Sequence, residues 1–412
     1  MTRSSKMLDS LRTGSWLTAQ RLRIYPLIFL VFYAVSFAWL IHGWDGKLDA
    51  SGQPLGTDYS EVYAAGTFVL EGKPALPYDN AAHAERQREL FGPLAPFYAW
   101  GYPPYFLALA ALFAVLPYVL ALVLWQATTL PLYLGAVGAV LPRSRTVLLA
   151  AAAFPAVFIN LSAGHNGFLT AGLLGLGLVV LDRRPILAGI LFGCLAYKPQ
   201  YGLLLPVALA AGFQWRAFAA AGITAGLLTL GTLVAFGPEV WHGFIASIRF
   251  SREVVVEQGN TGWYKLQTVF AAVRMFGGSI PLAYAFQTVS TVGCAVLVAW
   301  LWFRGADWRL RSAALMTATM LSTPYALDYD MMVLGPALAL AIAYGLDKGF
   351  GDWDKTVLAA VWLMPLIART VAKATFFPLG LTMTLVLFGL IVHRGLAGLR
   401  RTAPAVGRSA VA

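Results

Sequence analysis

The chain has 412 residues, of which 59% are hydrophobic and 12% charged, with a formal net charge of +11. A soluble domain carries about 25% charged residues, so a shortfall spread over the whole length excludes an ordinary water-soluble fold and points to lipid as the main solvent. The surplus of Lys and Arg does not indicate nucleic acid, because the basic residues sit at the ends of apolar runs and not in one patch.

Several apolar stretches approach or exceed the roughly 20 residues that cross a bilayer as a helix. Examples are 24–41, 119–141, 217–236 and 282–303. None shows the strict alternation of a membrane β-barrel, and in lipid a helix satisfies its own backbone polar groups. The expected fold class is therefore all-α, a polytopic membrane protein forming one transmembrane domain over 1–412.

In chain order, residues 1–23 carry Arg3, Lys6, Arg12, Arg21 and Arg23 against one acid, Asp9. Positive-inside bias places them in the cytoplasm. The apolar run that follows ends in His42-Gly43-Trp44-Asp45, which offers no small-x-small cleavage site, so it reads as an uncleaved first helix. Residues 42–101 hold eight acids and four Lys or Arg, and 43–118 reads as a first extracytoplasmic loop with interfacial helices. Within it, Gly56-Thr57-Asp58-Tyr59-Ser60-Glu61-Val62-Tyr63 opens an amphipathic stretch running to Gly72. Val62, Phe68 and Val69 would form an apolar stripe on the membrane surface. Asp58 with Glu61 fits the N-cap and third position of a capping box, or a pair of reactive carboxylates. Residues 103–117 are too short to cross and begin with Pro-Pro, so they lie along or dip into the outer interface.

Spans follow near 119–141, 146–163, 166–181, 185–197, 200–213, 216–236, 280–303, 311–325, 329–346, 355–371 and 375–393. With the first this gives about twelve helices and both termini inside, including a cytoplasmic tail over 394–412. Basic marks at Arg143, Arg183, Arg216, Arg304, Lys348 and Arg394 then fall in the cytoplasm. Arg369 and Lys373 fall outside, against the trend.

The outer face receives 43–118, Gly164-His165-Asn166, Lys198-Pro199-Gln200, a second large loop over 237–279, and the segment 322–330. One extracytoplasmic site accounts for this one-sided gathering of polar residues. His165 reads as a solvated loop histidine or a ligand. Lys198 reads as a snorkelling lysine or the partner of an anion such as a phosphate. Asp328 and Asp330 read as interfacial acids or cation ligands. The loop 237–279 contains Arg249, Arg252, Asn260, Trp263, Tyr264, Lys265 and Gln267, which suit sugar rings and phosphate groups as well as an interfacial belt. Residues 266–276 have the length of a short surface helix. Cys194 and Cys294 lie in apolar runs as small buried hydrophobes. No metal-ligand spacing, G-x-S-x-G, phosphate loop or dinucleotide fingerprint is present, so an ATP-driven pump or a nucleotide-sugar enzyme is unsupported. A transporter or flippase for a lipid-linked sugar is the main alternative to an enzyme, weakened by the lack of an internal repeat. A non-catalytic scaffold is the third reading.

The pattern Asp58-Tyr59-x-x-x-Tyr63-x-x-Gly66, with Gly72, Tyr78-Asp79 and Tyr102-Pro103-Pro104, resembles the first outer loop of glycosyltransferase family 87. Gly164-His165-Asn166 is similar to the family's Gly-Gln-x-Asn region, with His165 where Gln is common. Ala188-Gly189-Ile190-Leu191-Phe192-Gly193 with Lys198-Pro199 is similar to its Ala-Gly…Gly…Lys-Pro segment. Ser322-Thr323-Pro324 with Asp328-Tyr329 resembles its Ser-Pro…Asp-His region, with Tyr329 in place of His.

The resemblance implies a GT-C-like bundle in the inner cell membrane. Its donor would be a polyprenyl-phosphate sugar (mannose or another hexose), its acceptor a glycan or glycolipid, and its active site extracytoplasmic. It implies Asp58 as general base, with Glu61 as rival or orienting partner. Lys198, Arg252 and Lys265 would meet the donor phosphate. Tyr63, Tyr102, His165, Asn166, Asn260, Asp328 and Tyr329 would line the substrate. No cofactor is implied with certainty, and a divalent metal is left open.

Overall fold

The structure, a computed structural model, describes residues 3–42, 46–49 and 51–402. The expected end of the first span at 43–45 and the tail beyond 402 lie outside the described residues. Among those described the chain is helical throughout, with two isolated β-bridges and no strand.

After a short α1 (Arg3–Thr13), the first long helix is α2 (Ala19–Ile41). The segment that follows folds into α3 (Tyr59–Leu70), α4 (Asn80–Phe91) and α5 (Pro104–Ala114) before α6 (Tyr118–Gly138). Next come α7 (Arg145–Ala152), α8 (Pro155–Ala163), α9 (Gly167–Val180), α10 (Pro185–Cys194), α11 (Pro199–Gly202), α12 (Leu205–Ala211) and α13 (Trp215–Phe236). The second half holds α14 (Pro238–Phe250), a π-helical turn at Ser251–Glu257, and α15 (Val269–Met275). It continues with α16 (Ile280–Phe303), α17 (Trp308–Leu321), α18 (Leu334–Lys348), α19 (Asp354–Leu363), α20 (Ala368–Thr375) and α21 (Leu379–Thr402).

Six helical segments are long and apolar enough to cross a bilayer: α2, α6, α13, α16, Asp328–Lys348 and the body of α21. Two bent pairs raise this to eight, α7 with α8 (50°) and Asp354–Leu366 with α20 (73°). The other four expected spans, near 166–181, 185–197, 200–213 and 311–325, form helices of 14 residues or fewer. Fourteen residues rise about 21 Å against a hydrocarbon core of about 30 Å. By length and composition, six to eight segments among the described residues qualify as spans, and the other four fall short of a full crossing.

The helices sort by exposure. Val31, Val35 and Trp39 of α2, Ile223, Leu227 and Val234 of α13, and Val289 and Val296 of α16 are exposed apolar side chains, as lipid-facing helices require. By contrast α17 is buried at every position from Ser312 to Leu321, and α18 from Leu334 to Ala341. These two helices and α9 form the centre. Within it, Thr317 and Thr319 return their hydroxyls to backbone carbonyls in their own helix, so neither leaves an unpaired polar atom in the core.

Burial corrects three sequence expectations. First, α3 is not interfacial: Val62 and Phe68 are buried in protein, together with Tyr59, Ser60, Glu61, Ala64, Ala65 and Gly66. It packs on α5 so closely that a Cβ at Gly66 would lie 2.4 Å from the Ala110 carbonyl oxygen, which explains a glycine there. Second, α15 forms within 266–276, but Phe270, Ala271 and Ala272 are buried, with Phe270 packed on Tyr284 of α16. It is not a surface helix. Third, His165 is buried and not solvated. Cys194 and Cys294 are both free, half-buried and buried respectively.

Candidate functional site

Three chain reversals meet: the start of α3, the turn between α8 and α9, and the segment between α17 and α18. Each is shaped by its own sequence. Asp58 has helical backbone angles, and its side chain makes no capping bond. The expected capping box does not form, since the turn is closed by Tyr59 N on Gly56 O and by the Ser60 hydroxyl on Thr57 O. The Asp58 carboxylate is thereby free of its own helix, and among the described residues it makes no ion pair. Glu61, one turn on, is buried.

Between α8 and α9, Gly164 turns the chain at φ +62°. Buried Asn160 holds this turn to the third segment. Its Nδ2 donates to Ala156 O (3.0 Å) and Tyr329 O (2.8 Å), and its Oδ1 accepts from Gly167 N (2.9 Å). His165 is thus set against Tyr329, with ring centroids 3.4 Å apart and planes 22° from parallel. Its Nε2 meets the Tyr102 hydroxyl at 3.2 Å. Its Nδ1 and the Oδ1 of Asn166 are buried with no partner among the described residues. The two positions at which the chain departs from the pattern of the resembled family are therefore in direct contact.

The third segment is a 3-10 turn, Asp328–Val333. Asp330 is fixed inside the protein: its Oδ1 is 2.6 Å from Lys198 Nζ and its Oδ2 accepts from Leu327 N at 2.9 Å. Both partners of the ion pair are about 95% buried or more. Lys198 also lies 5.6 Å and 5.5 Å from the rings of Tyr201 and Tyr329. Asp328 accepts from its own following amide and faces Arg369 at 3.5 Å. A single backbone bridge between Leu266 and Leu327, with Gln267 N on Ala326 O at 2.8 Å, brings Lys265 to the same place.

Electrostatics tie these groups together. Burial and the nearby Asp328 carboxylate push the Asp58 pKa up to about 7, against the pull of Lys265, Lys198 and Arg369. Glu61 is pushed well above the usual carboxylate range by burial, with Asp58 adding to the effect. A carboxylate that titrates near neutrality, flanked by cations, can accept a proton from a bound hydroxyl.

The remaining expected residues are placed elsewhere or used otherwise. Tyr63 donates its hydroxyl to Leu116 O at 2.9 Å and packs edge-on against Tyr118, locking α3 to the entry of α6. Arg252 is exposed and pairs with Glu253 and Glu257 on its own turn. Asn260 is exposed at the loop tip. Nothing local in the sequence marks the long-range bonds of Asn160 or the lysine partner of Asp330. The one sequence signal for Arg369 and Lys373 is their breach of the positive-inside trend. Among the described residues, no three His, Cys, Asp or Glu side chains gather as a metal site.

The fold and this cluster define a helical membrane protein with a buried polar centre among the described residues. The profile of glycosyltransferase family 87 matches residues 100–324, more than half of the chain, and the chain belongs to that family. It is a glycosyltransferase. Asp58, Asp328, Tyr329, Asp330 and Arg369 lie outside the matched stretch. No curated protein and no solved structure matches the chain.

Proposed function

We propose that the chain transfers a sugar, mannose or another hexose, from a polyprenyl-phosphate donor to a hydroxyl of a glycan or glycolipid, with inversion at the anomeric carbon. The observation that carries this is the Asp58 carboxylate, released from its helix cap and raised to about 7. An acceptor hydroxyl is a weak nucleophile, and a base titrating near the working pH removes its proton most effectively. The acceptor oxygen bonds to the anomeric carbon while the bond from that carbon to the donor phosphate oxygen breaks. The electron pair leaves with the phosphate, and the proton goes to Asp58. Nearby cations offset the developing negative charge. Glu61, one helical turn away, is also raised by burial and by the Asp58 charge and orients the base.

A lipid-borne donor is supported by the setting. The cluster sits among lipid-exposed helices, and the chain carries no nucleotide phosphate loop. The basic residues at the helix ends support cytoplasmic termini and an extracytoplasmic site in the inner cell membrane. The short helices α9, α10, α12 and α17 complete the crossing of a thinned, protein-filled region, for about twelve passes in a GT-C-like bundle.

The test is sugar transfer by membranes holding wild-type chain or Asp58→Asn, offered a panel of polyprenyl-phosphate sugars. Loss of transfer by at least a thousandfold at unchanged protein level is expected. Turnover near wild type in Asp58→Asn excludes Asp58 as base, and no transfer from any donor by wild type excludes the donor class.

A further inference from the structure

Helix α20 carries a feature that the reaction as described does not use. It leaves the preceding helical segment at 73°, and buries only Ala368 and Ala372. Arg369 and Lys373, four residues apart, stand together on its exposed side. Like charges at this spacing destabilise a helix by a few tenths of a kcal/mol, so an anion between them is favoured. Both approach the ring of Tyr264, at 6.0 Å and 5.7 Å. Lys265 follows Tyr264 in the chain and is brought to Asp328 by the Leu266–Leu327 bridge. Arg369 and Lys265 thus act on the Asp328 carboxylate, and only Arg369 touches it, through a long 3.5 Å contact, while Lys373 stands beside Arg369 over the Tyr264 ring. Lys265 and Lys373 have no ion pair among the described residues.

The apolar surroundings narrow the choice of anion. Leu366 and Ile367 before Arg369, and Phe376 and Phe377 after Lys373, are all exposed. A helix lying across the end of a span, with cations between apolar side chains, has the character of a membrane-surface helix. A free phosphate would use the cations and gain nothing from the apolar flanks. A phosphate carrying a hydrocarbon chain would use both.

Lys198 is the weaker candidate for this role. Its ammonium is buried and already bonded to Asp330 at 2.6 Å. Arg369 is half-exposed, and its planar fork can exchange the long Asp328 contact for a bidentate phosphate contact. Arg369 and Lys265 also act on the Asp58 carboxylate electrostatically, so an anion held by them lies within the field of the base.

We propose that Arg369, Lys265 and Lys373 form the phosphate site for the lipid-linked sugar donor, with the hydrocarbon chain leaving along the exposed apolar side chains of α20. This rests on the donor class proposed above. The test is binding of farnesyl phosphate to the purified full chain, followed by native mass spectrometry, beside donor kinetics. Wild type should bind farnesyl phosphate but not farnesol. Arg369→Gln and Lys265→Gln should each weaken binding and raise donor KM at least tenfold, with Lys373→Gln about threefold, Arg369→Lys partly restored, and Arg183→Gln, on an exposed turn after α9, unchanged. Melting temperatures without ligand report whether each variant is folded. If folded Arg369→Gln and Lys265→Gln bind as wild type does, the site is wrong while the donor class stands. If wild type binds no farnesyl phosphate and uses no polyprenyl-phosphate sugar, both fall. Equal competition by phosphatidylglycerol would make the cluster a general anionic-lipid surface and overturn the proposal.

Discussion

The ammonium of Lys198 and the carboxylate of Asp330 meet at 2.6 Å, both buried, although 132 residues separate them in sequence. The pair fastens the end of α10 to the turn that presents Asp328 and Tyr329. Removing one member of a buried pair leaves the other charged and unpaired, at a cost of about 3–5 kcal/mol. Lys198→Met should therefore lower the melting temperature of the purified protein strongly, and Lys198→Met with Asp330→Leu should recover most of the loss. A double variant no more stable than the single one would show that the pair is not the fastening.

The pH dependence follows from Asp58. With a folded-state pKa of about 7, the base is unprotonated only above that value. The transfer rate should therefore rise with pH through about 7 and level above it. A rate independent of pH over roughly 1.5 units either side of that value is the opposing result.

The same shift has a stability consequence. The folded chain keeps a proton that the unfolded chain, with an ordinary carboxyl pKa of 3.8, gives up. Stability is fully present below that lower value and is lost as pH rises toward about 7. Asp58→Asn removes this term. Its melting temperature should match wild type near pH 4, exceed it increasingly up to neutrality, and hold a constant excess above.

The stack of His165 on Tyr329 depends on the ring and not on the hydroxyl, since the 3.4 Å contact is between ring centroids. Tyr329→Phe should keep the transfer rate within about threefold, and Tyr329→Ala should lower kcat/KM at least tenfold. The basis is an aromatic contact of about 0.5–1.5 kcal/mol together with lost positioning of His165. Steady-state kinetics with one donor decides this, and equal loss in the two variants would assign the role to the hydroxyl.

Gly66 tests how closely α3 must lie on α5. A methyl group there meets the Ala110 carbonyl oxygen at 2.4 Å, so the helices must separate and carry Asp58 with them. Gly66→Ala should lower both melting temperature and transfer rate. Gly135→Ala, where the added carbon meets nothing within 4 Å, should change neither. Wild-type behaviour of Gly66→Ala would mean that the packing at this point does not position the site.

Composition and apolar run length are enough to set the solvent and the class. Hydrophobic content and run length are summed properties of the chain, so lipid-facing α2, α13 and α16 were legible without coordinates. The polar residues at Asp58, His165, Lys198 and Asp328 were also legible as a group, because each interrupts an apolar pattern. Burial was not. The periodicity of α3 resembles that of a surface helix, and only the approach of α5 at Gly66 makes it internal. The roles within the cluster depend on partners far away in the chain. Asp330 neutralises Lys198, Asn160 bonds Tyr329, and α20 turns back to bring Arg369 onto Asp328. Local patterning reports which side chains lipid tolerates, whereas ion pairs and stacked rings are set by distances of a few ångströms that only the folded chain fixes. The tertiary structure therefore decided which carboxylate is free, which lysine is already paired, and that the two basic residues breaching the charge rule belong beside the site.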